Sequence, residues 1–510
     1  MTKPAILVID VGTTVIKTSL FNFACRTIDR VSRPHRTEGL NSAEAAEQLW
    51  AILKETVPSL TGHNPGYHVS AVGLTGFMHS VFPLDEEGRV LPFLAAEAEA
   101  RRCFDETLDH FGVEKIYRTT GSRLDVTSVP PQVLAWRKRD PREFAKTAHL
   151  LPVKDLLRYR LTGEIATDEI DACGTMFYDV HERRWDPELL SYCGLEAKAL
   201  PPIRHCAERA GAVGWTAAKE LDLPKGLPVA VGGGDDIEIL GSGARAPQQV
   251  CEHVGSTGSF LLPLLIQKSD PSRRLELYPA VARDEWVLGG SCSNVTRALD
   301  WFLSSSSYGS DGAICWDRTR GELAKALAKV NSHRPFFLPY LYGERAPLWN
   351  PDLNAQWIGL RNPHVASDLL LSVVEGICFS LRNVLEAYKD LGLKIEVVCS
   401  SGGFNELGAQ RLRATIYDKP IRLVRGTDPT SFATSAVTLC SMGELSEPTE
   451  AIGWLEFEPD VEPEPTWQAL LQDRFSSFVN YTRWMPPPPR EPKSASDAER
   501  NENRERKTRC

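Results

Sequence analysis

The chain has no Gly-Lys dipeptide anywhere in its 510 residues. A Walker A loop ends in Gly-Lys-Ser/Thr, so that phosphate-binding device is excluded. His-Glu-x-x-His, Gly-x-Ser-x-Gly and Cys-x-x-Cys are also missing. Their absence removes the helix-borne zinc protease, the serine-hydrolase elbow and paired-cysteine zinc or redox sites. No apolar run approaches the ~18 residues that a membrane-spanning helix needs. The opening run Ala5-Ile6-Leu7-Val8-Ile9 stops at Asp10 and is too short for a secretory signal. Basic charge is in deficit, with 58 Lys and Arg against 67 Asp and Glu and a net charge of −9. An electrostatic footprint for nucleic acid is therefore lacking. Twelve cysteines without a secretory signal read as reduced, mostly buried thiols of a cytoplasmic protein.

What is present describes a globular chain of two large units or three smaller ones. Hydrophobic residues make up 42 % and charged residues 25 %, ample for a core. Residues 5–9 and 15–23 read as strands joined by the turn Asp10-Val11-Gly12-Thr13-Thr14. Ala46, Leu49, Trp50, Leu53 and Val57 form one helical stripe in residues 43–60. Buried strands follow at residues 69–74, 227–231, 250–254, 259–265 and 397–400, with helices at 154–161 and 406–416. Strands alternating with helices predict an α/β architecture. The pattern strand, glycine-hydroxyl turn, strand recurs at Gly255-Ser256-Thr257-Gly258, and Gly12 and Gly255 lie about half a chain apart. That suggests a boundary near residue 245, with units 1–245 and 246–485. After the proline run 486–489, residues 490–510 offer almost nothing to bury. The segment 486–510 reads as a disordered tail.

Three turns directly follow buried strands: Asp10 to Thr14, Gly255 to Gly258, and Ser401-Gly402-Gly403. Such turns expose backbone N–H groups, and their hydroxyls add donors, which suits a polyphosphate without a P-loop lysine. Asp10 is placed to hold Mg²⁺, directly or through water. The plainer alternative is an ordinary hairpin with Asp as a turn former. Gly232-Gly233-Gly234 does not continue as Gly-x-Gly-x-x-Gly, so the Rossmann fingerprint is unmet. The glycines lead to Asp235, a candidate general base for a hydroxyl attacking a phosphoryl group, or else a simple turn acid.

These segments together resemble the FGGY carbohydrate kinases, within the actin-like and sugar-kinase ATPases. The resemblance rests on Ile9 to Thr14 with Lys17, on Gly232 to Asp235, and on Gly255 to Gly258. It rests further on Gly343-Glu344-Arg345-Ala346-Pro347-Leu348-Trp349-Asn350 and on Ser401-Gly402-Gly403-Phe404-Asn405. Lys154-Asp155 and Asp171-Ala172-Cys173-Gly174-Thr175 also follow the family, and the order holds over residues 5–445.

The resemblance implies two actin-like (ribonuclease H-like) domains around a central cleft. It implies transfer of the γ-phosphoryl group of MgATP to a hydroxyl of a small sugar, sugar acid or polyol. Asp235 would be the base and Asp10 the magnesium ligand. Gly12, Thr13, Thr14, Lys17, Gly255, Ser256, Thr257, Gly402, Gly403 and Asn405 would bind ATP. Met78 and His79 match a substrate-contacting pair of the xylulose and gluconate branches. No nucleic acid or membrane partner is implied, and a homodimer stays open. Four departures fall on the sugar side. Asp236 stands where the family has Asn or Gln. Leu94 to Arg101 replaces Trp-x-Asp-x-Arg, leaving Glu99 and Arg101 as stand-ins. Val133 replaces a lysine, and Ser293 to Thr296 replaces Asn-Asn-Gly-Gly. A second reading is an ATP-binding regulator of the same fold without kinase activity.

Overall fold

A computed structural model describes residues 2–484, except 38, 95–96, 246–247, 307–308, 311–312, 315 and 329–332. The expected disordered tail, 486–510, lies outside the described residues.

The N-terminal sheet is built on Lys3–Val11, buried continuously from Ala5 onward. A strand buried on both faces needs such an uninterrupted apolar run. It pairs antiparallel with Val15–Phe21, which pairs antiparallel with Thr27–Pro34. On its other side lies the parallel strand Tyr67–Gly76, followed by Pro228–Ala230. The short strand Gly233–Gly234 also pairs parallel with the end of Tyr67–Gly76. The helix Ser42–His63 covers one face through Leu49, Trp50, Leu53, Val57 and Leu60. Asn41 starts it with a capping box to Glu44, satisfying two otherwise orphaned N–H groups.

The second sheet repeats this plan. Gln249–Val254 pairs antiparallel with Gly258–Leu264, which pairs antiparallel with Trp286–Cys292. On the other side of Gln249–Val254 lie the parallel strands Val397–Ser401 and Ile421–Leu423. Recurrence of the opening pattern at Gly255 therefore marks a repeated sheet topology. The predicted single helix over 406–416 is instead a 3₁₀ turn, Gly403–Leu407, and a helix, Gln410–Tyr417. Gly408, at φ 73°, breaks the path between them.

The packing crosses the expected boundary near 245. Helix Pro429–Met442 lies late in the chain but packs on the N-terminal sheet, with Phe432, Ala433, Ala436 and Val437 against Ile6, Val8 and Ala71. Its ten consecutive residues Thr430–Leu439 are buried, so it is enclosed on every side. Close approach is possible because Gly73 and Gly241 face it. A Cβ on Gly241 would stand 1.9 Å from the Pro429 carbonyl oxygen. Ala172, Cys173, Tyr178 and Val180 in turn join the core of the second sheet.

Candidate active site

The carboxyl ends of the parallel strands converge from both sheets, the place where open α/β sheets bind ligands. Asp10 was expected in a turn but lies in the strand. The ladder continues through Asp10↔Lys17 and Val11↔Ile16, so the turn is only Gly12 to Thr14. Phe77, Met78 and His79 leave the adjacent strand end. Gly233 and Gly234 pair with Thr75 and Gly76 and deliver Asp235 beside them. From the second sheet come His253, the turn 255–258, and Ser401.

A cavity of about 500 Å³ opens between these ends. Of the residues singled out in the sequence, it is lined by Asp10, Gly12, Thr13, Thr14, Lys17, Met78, His79, Asp235, Asp236, Ser256 and Thr257. Gly402 and Gly403 do not line it. Gly402, at φ 94°, would place a Cβ 2.6 Å from the Val254 carbonyl oxygen, so only glycine fits there. Asn405 is engaged internally, its Oδ1 accepting from the Arg413 guanidinium at 2.5 Å. Glu99 and Arg101 do not join Asp235. Both sit on the helix Glu97–Thr120, where Glu99 faces Arg139 at 3.7 Å and Arg101 faces Asp352 at 3.4 Å. Arg101 lines a second cavity, of about 790 Å³, which meets the first at Thr257 and Arg345.

Five carboxylates line the first cavity: Asp10, Asp235, Asp236, Glu238 and Glu276. Burial raises the pKa of Asp10, while Lys17 at 3.1 Å pulls it back. Lys17 is also 2.8 Å from Asp428, the N-cap of helix Pro429–Met442. Burial alone would lower the Lys17 pKa, but the two carboxylates outweigh it and raise it. Burial and then the neighbouring charges of Asp236, Glu238 and Asp10 push Asp235 well above the usual carboxylate range. Asp236 is pushed up to about 7 by burial, despite a hydrogen bond from the Tyr278 hydroxyl. A set of hard oxygens this short of cations fits Mg²⁺, with Asp10 as the residue that would hold it beside a polyphosphate. Among the described residues, no cluster of three or more His, Cys, Asp or Glu forms a closed metal site.

Beneath the glycines lies a buried ion cluster. Lys154 Nζ is 2.5 Å from Asp155, 3.2 Å from Asp168 and 3.3 Å from Asp171. Lys154 and Arg158 both donate to the Val231 carbonyl oxygen, at 3.3 and 3.1 Å. The segment leading to Asp235 therefore rests on charged supports. Gly232, at φ 74°, would set a Cβ 2.1 Å from the Leu74 carbonyl oxygen. The first glycine thus lets the chain pass against the neighbouring strand.

Several cavity residues carried no signal of their own in the sequence: Ser122, Glu238, His253, Glu276, Tyr278 and Ser291, as did Asp428, which holds Lys17 from behind. Arg345 lay inside a recognised motif without an assigned role. All ten cysteines among the described residues are free thiols, nine of them buried. Among the described residues no helix is long and apolar enough to cross a membrane.

Comparison with known proteins identifies the family. Residues 5–240 match the N-terminal domain, and residues 254–432 the C-terminal domain, of the FGGY family of carbohydrate kinases. The chain is 28 % identical over 402 residues to a xylulose kinase of Klebsiella pneumoniae, covering 78 % of this chain and 81 % of that one. It is 24 % identical over 461 residues to a gluconokinase of Bacillus subtilis, covering 85 % and 86 %. The crystal structure of a gluconate kinase from Lactobacillus acidophilus superposes with a TM-score of 0.83 at 21 % identity, covering 94 % of this chain and 98 % of that one. The fold is the two-domain actin-like ATPase arrangement expected from the sequence. The chain belongs to the FGGY family of carbohydrate kinases and is a phosphotransferase that phosphorylates a sugar-class acceptor.

Proposed function

We propose that the protein transfers the γ-phosphoryl group of ATP to a hydroxyl of a small sugar, sugar acid or polyol, with Asp235 as general base. The observation that carries this reading is the placement of Asp235. It stands in one cavity with Asp10, with the hydroxyl turns Gly12 to Thr14 and Ser256-Thr257, and with Met78-His79. In this reading the phosphate chain lies along the two turns, whose N–H and hydroxyl groups take its oxygens. The acceptor lies toward Met78, His79, Asp236 and Tyr278. Asp235 takes the proton of the attacking hydroxyl as its oxygen bonds to the γ-phosphorus, and the bond from that phosphorus to the β-phosphate oxygen breaks, releasing ADP. A carboxylate whose pKa is raised is a better proton acceptor, provided it enters the reaction ionised. Bound Mg²⁺ would neutralise charge on the phosphate oxygens, and Asp10 is the residue assigned to hold it.

The named relatives, a xylulose kinase and a gluconokinase, put five- and six-carbon open-chain acceptors first. Arg101 and Glu99 are withdrawn from the acceptor's inner contacts. Asp236, Glu276, Ser122 and Tyr278 take their place as hydroxyl partners in this reading. The cytoplasm is the proposed location, as suits an ATP-dependent step. No observation favours the regulator without activity, because both acids that chemistry requires face the cavity. The test is ADP release against a panel of sugars, sugar acids and polyols. Turnover with one of them supports the reading, and nucleotide binding with no turnover on any would overturn it.

A further inference from the structure

His253 is the penultimate residue of the strand Gln249–Val254, two residues before Gly255. Its Nδ1 is 2.8 Å from the Glu238 carboxylate, which is buried and reaches it from the helix Glu238–Gly241 of the opposite sheet's half. Ser401 Oγ lies 3.5 Å from the same nitrogen. The Nδ1 position is therefore held, and the opposite nitrogen is turned outward. Nε2 has no hydrogen-bond partner among the described residues. It lies 2.8 Å from the point where a Cβ on Gly255 would stand. The ring lines the cavity, with 39 % of its side chain open to it.

We propose that His253 is a further catalytic residue, donating its Nε2–H to the phosphate chain of the nucleoside triphosphate at the turn 255–258. The proposal rests on the reading of the cleft as a nucleotide site. It answers a shortage of cations. The chain has no P-loop lysine, and Lys17 is already held between Asp10 and Asp428. Arg345 lines both cavities where they meet and lies near His79, on the acceptor side. Among the described residues that line the first cavity, His253 is the cationic donor next to the turn 255–258 that no second carboxylate or acceptor-side contact claims. The groups facing it are Glu238, Asp235, Asp236 and Lys17. The Glu238 charge leads, burial opposes it, and the ring pKa is raised to about 9. The ring therefore enters the reaction as an imidazolium, a form in which both nitrogens donate. Glu238 is the positioning residue, fixing the ring and its charge. A carboxylate orienting a histidine whose other nitrogen faces a reacting group is a common arrangement.

The experiment measures equilibrium binding of ATP and of adenosine by calorimetry, for wild type, His253→Gln and Glu238→Gln, each checked for an unaltered fold by circular dichroism. His253→Gln should weaken ATP about tenfold to a hundredfold, the worth of one charge-assisted hydrogen bond, and leave adenosine unchanged. Wild-type ATP affinity should fall as pH rises through about 9, where the ring loses its proton. That fall should be absent in His253→Gln and should move to lower pH in Glu238→Gln. Equal ATP affinity for His253→Gln and wild type would overturn the proposal, as would an equal loss for adenosine, which would make the residue structural. A wild-type protein that binds ATP no better than adenosine, or binds neither, would overturn the reading of the cleft itself, a result distinguishable from the failure of His253 alone.

Discussion

The Lys154 ammonium lies 3.3 Å from the Asp171 carboxylate, and both side chains are buried directly below the glycines that lead to Asp235. Asp171 Oδ1 is 3.2 Å from where a Cβ on Gly234 would stand. Two cations, Lys154 and Arg158, face three carboxylates in this cluster. Burial, then the nearby aspartates, raises the Asp171 pKa well above normal even with Lys154 alongside. Asp171 is thus the member of the cluster whose neutral form is most favoured. Lys154→Met should destabilise the protein by about 3–5 kcal/mol, because it leaves buried carboxylates without a counter-charge. Asp171→Asn should cost far less, since an amide replaces the carboxyl whose neutral form its surroundings favour. Urea denaturation of the two variants decides this, and equal losses would contradict this ordering.

Asp235 and Asp236 differ in what their loss should do. Asp235→Asn should lower kcat by about 10²–10⁴, the usual worth of a general base, with ATP affinity retained. Asp236→Asn should mainly change KM for the acceptor. It also removes the largest charge-based contribution to the raised Asp235 pKa. The acid limb of its pH–rate profile should therefore move to lower pH. If Asp236→Asn abolishes turnover and Asp235→Asn does not, the base is the other residue.

The raised Asp236 pKa has a sign for stability. A carboxyl whose folded pKa, about 7, exceeds the ordinary value of 3.8 contributes stability at pH below 3.8. That contribution is lost as pH rises through about 7. Asp236→Asn escapes the loss, so its Tm should exceed wild type at pH 8 and should not exceed it at pH 3.5. Thermal melts at the two pH values test this. An advantage that persists unchanged in acid would trace it to packing instead.

Gly232→Ala should be among the costlier single changes near the site. The added Cβ would meet backbone at 2.1 Å while the residue must keep φ 74°. Backbone strain of this kind costs on the order of 1–3 kcal/mol before the clash is counted. Because Asp235 hangs from this segment, kcat should fall along with stability. Unchanged kcat in a folded variant would show that Asp235 is positioned independently of the triplet.

Closure of the cleft should be visible in solution. Two halves that meet around a cavity should approach when ATP and acceptor bind together, excluding water from the phosphoryl group. Small-angle scattering should give a smaller radius of gyration with both ligands than with neither. An unchanged radius would argue against a hinged cleft.

The sequence by itself determined the elements that local physics controls. The apolar run from Ala5, the stripe Leu49-Trp50-Leu53-Val57 and the glycine turns at 12 and 255 all announced their strands, helix and bends. Periodicity and backbone freedom are local properties, so a linear reading reaches them. The family motifs, read together, also singled out Asp10, Asp235 and the turns at 12–14 and 256–257, which the fold brings to one cavity. Tertiary structure decided which side chains share a space. Glu99 and Arg101 matched a spacing, but their helix turns them toward Arg139 and Asp352 instead of Asp235. Helix Pro429–Met442, far down the chain, closes the first sheet and brings Asp428 to Lys17. Glu238 and His253 stand fifteen residues apart on opposite halves, and neither carries a motif. Their hydrogen bond exists because two separately built sheets point their strand ends into one cleft. A contact between elements on different sheets has no period or spacing in the sequence, so only the assembled fold sets it.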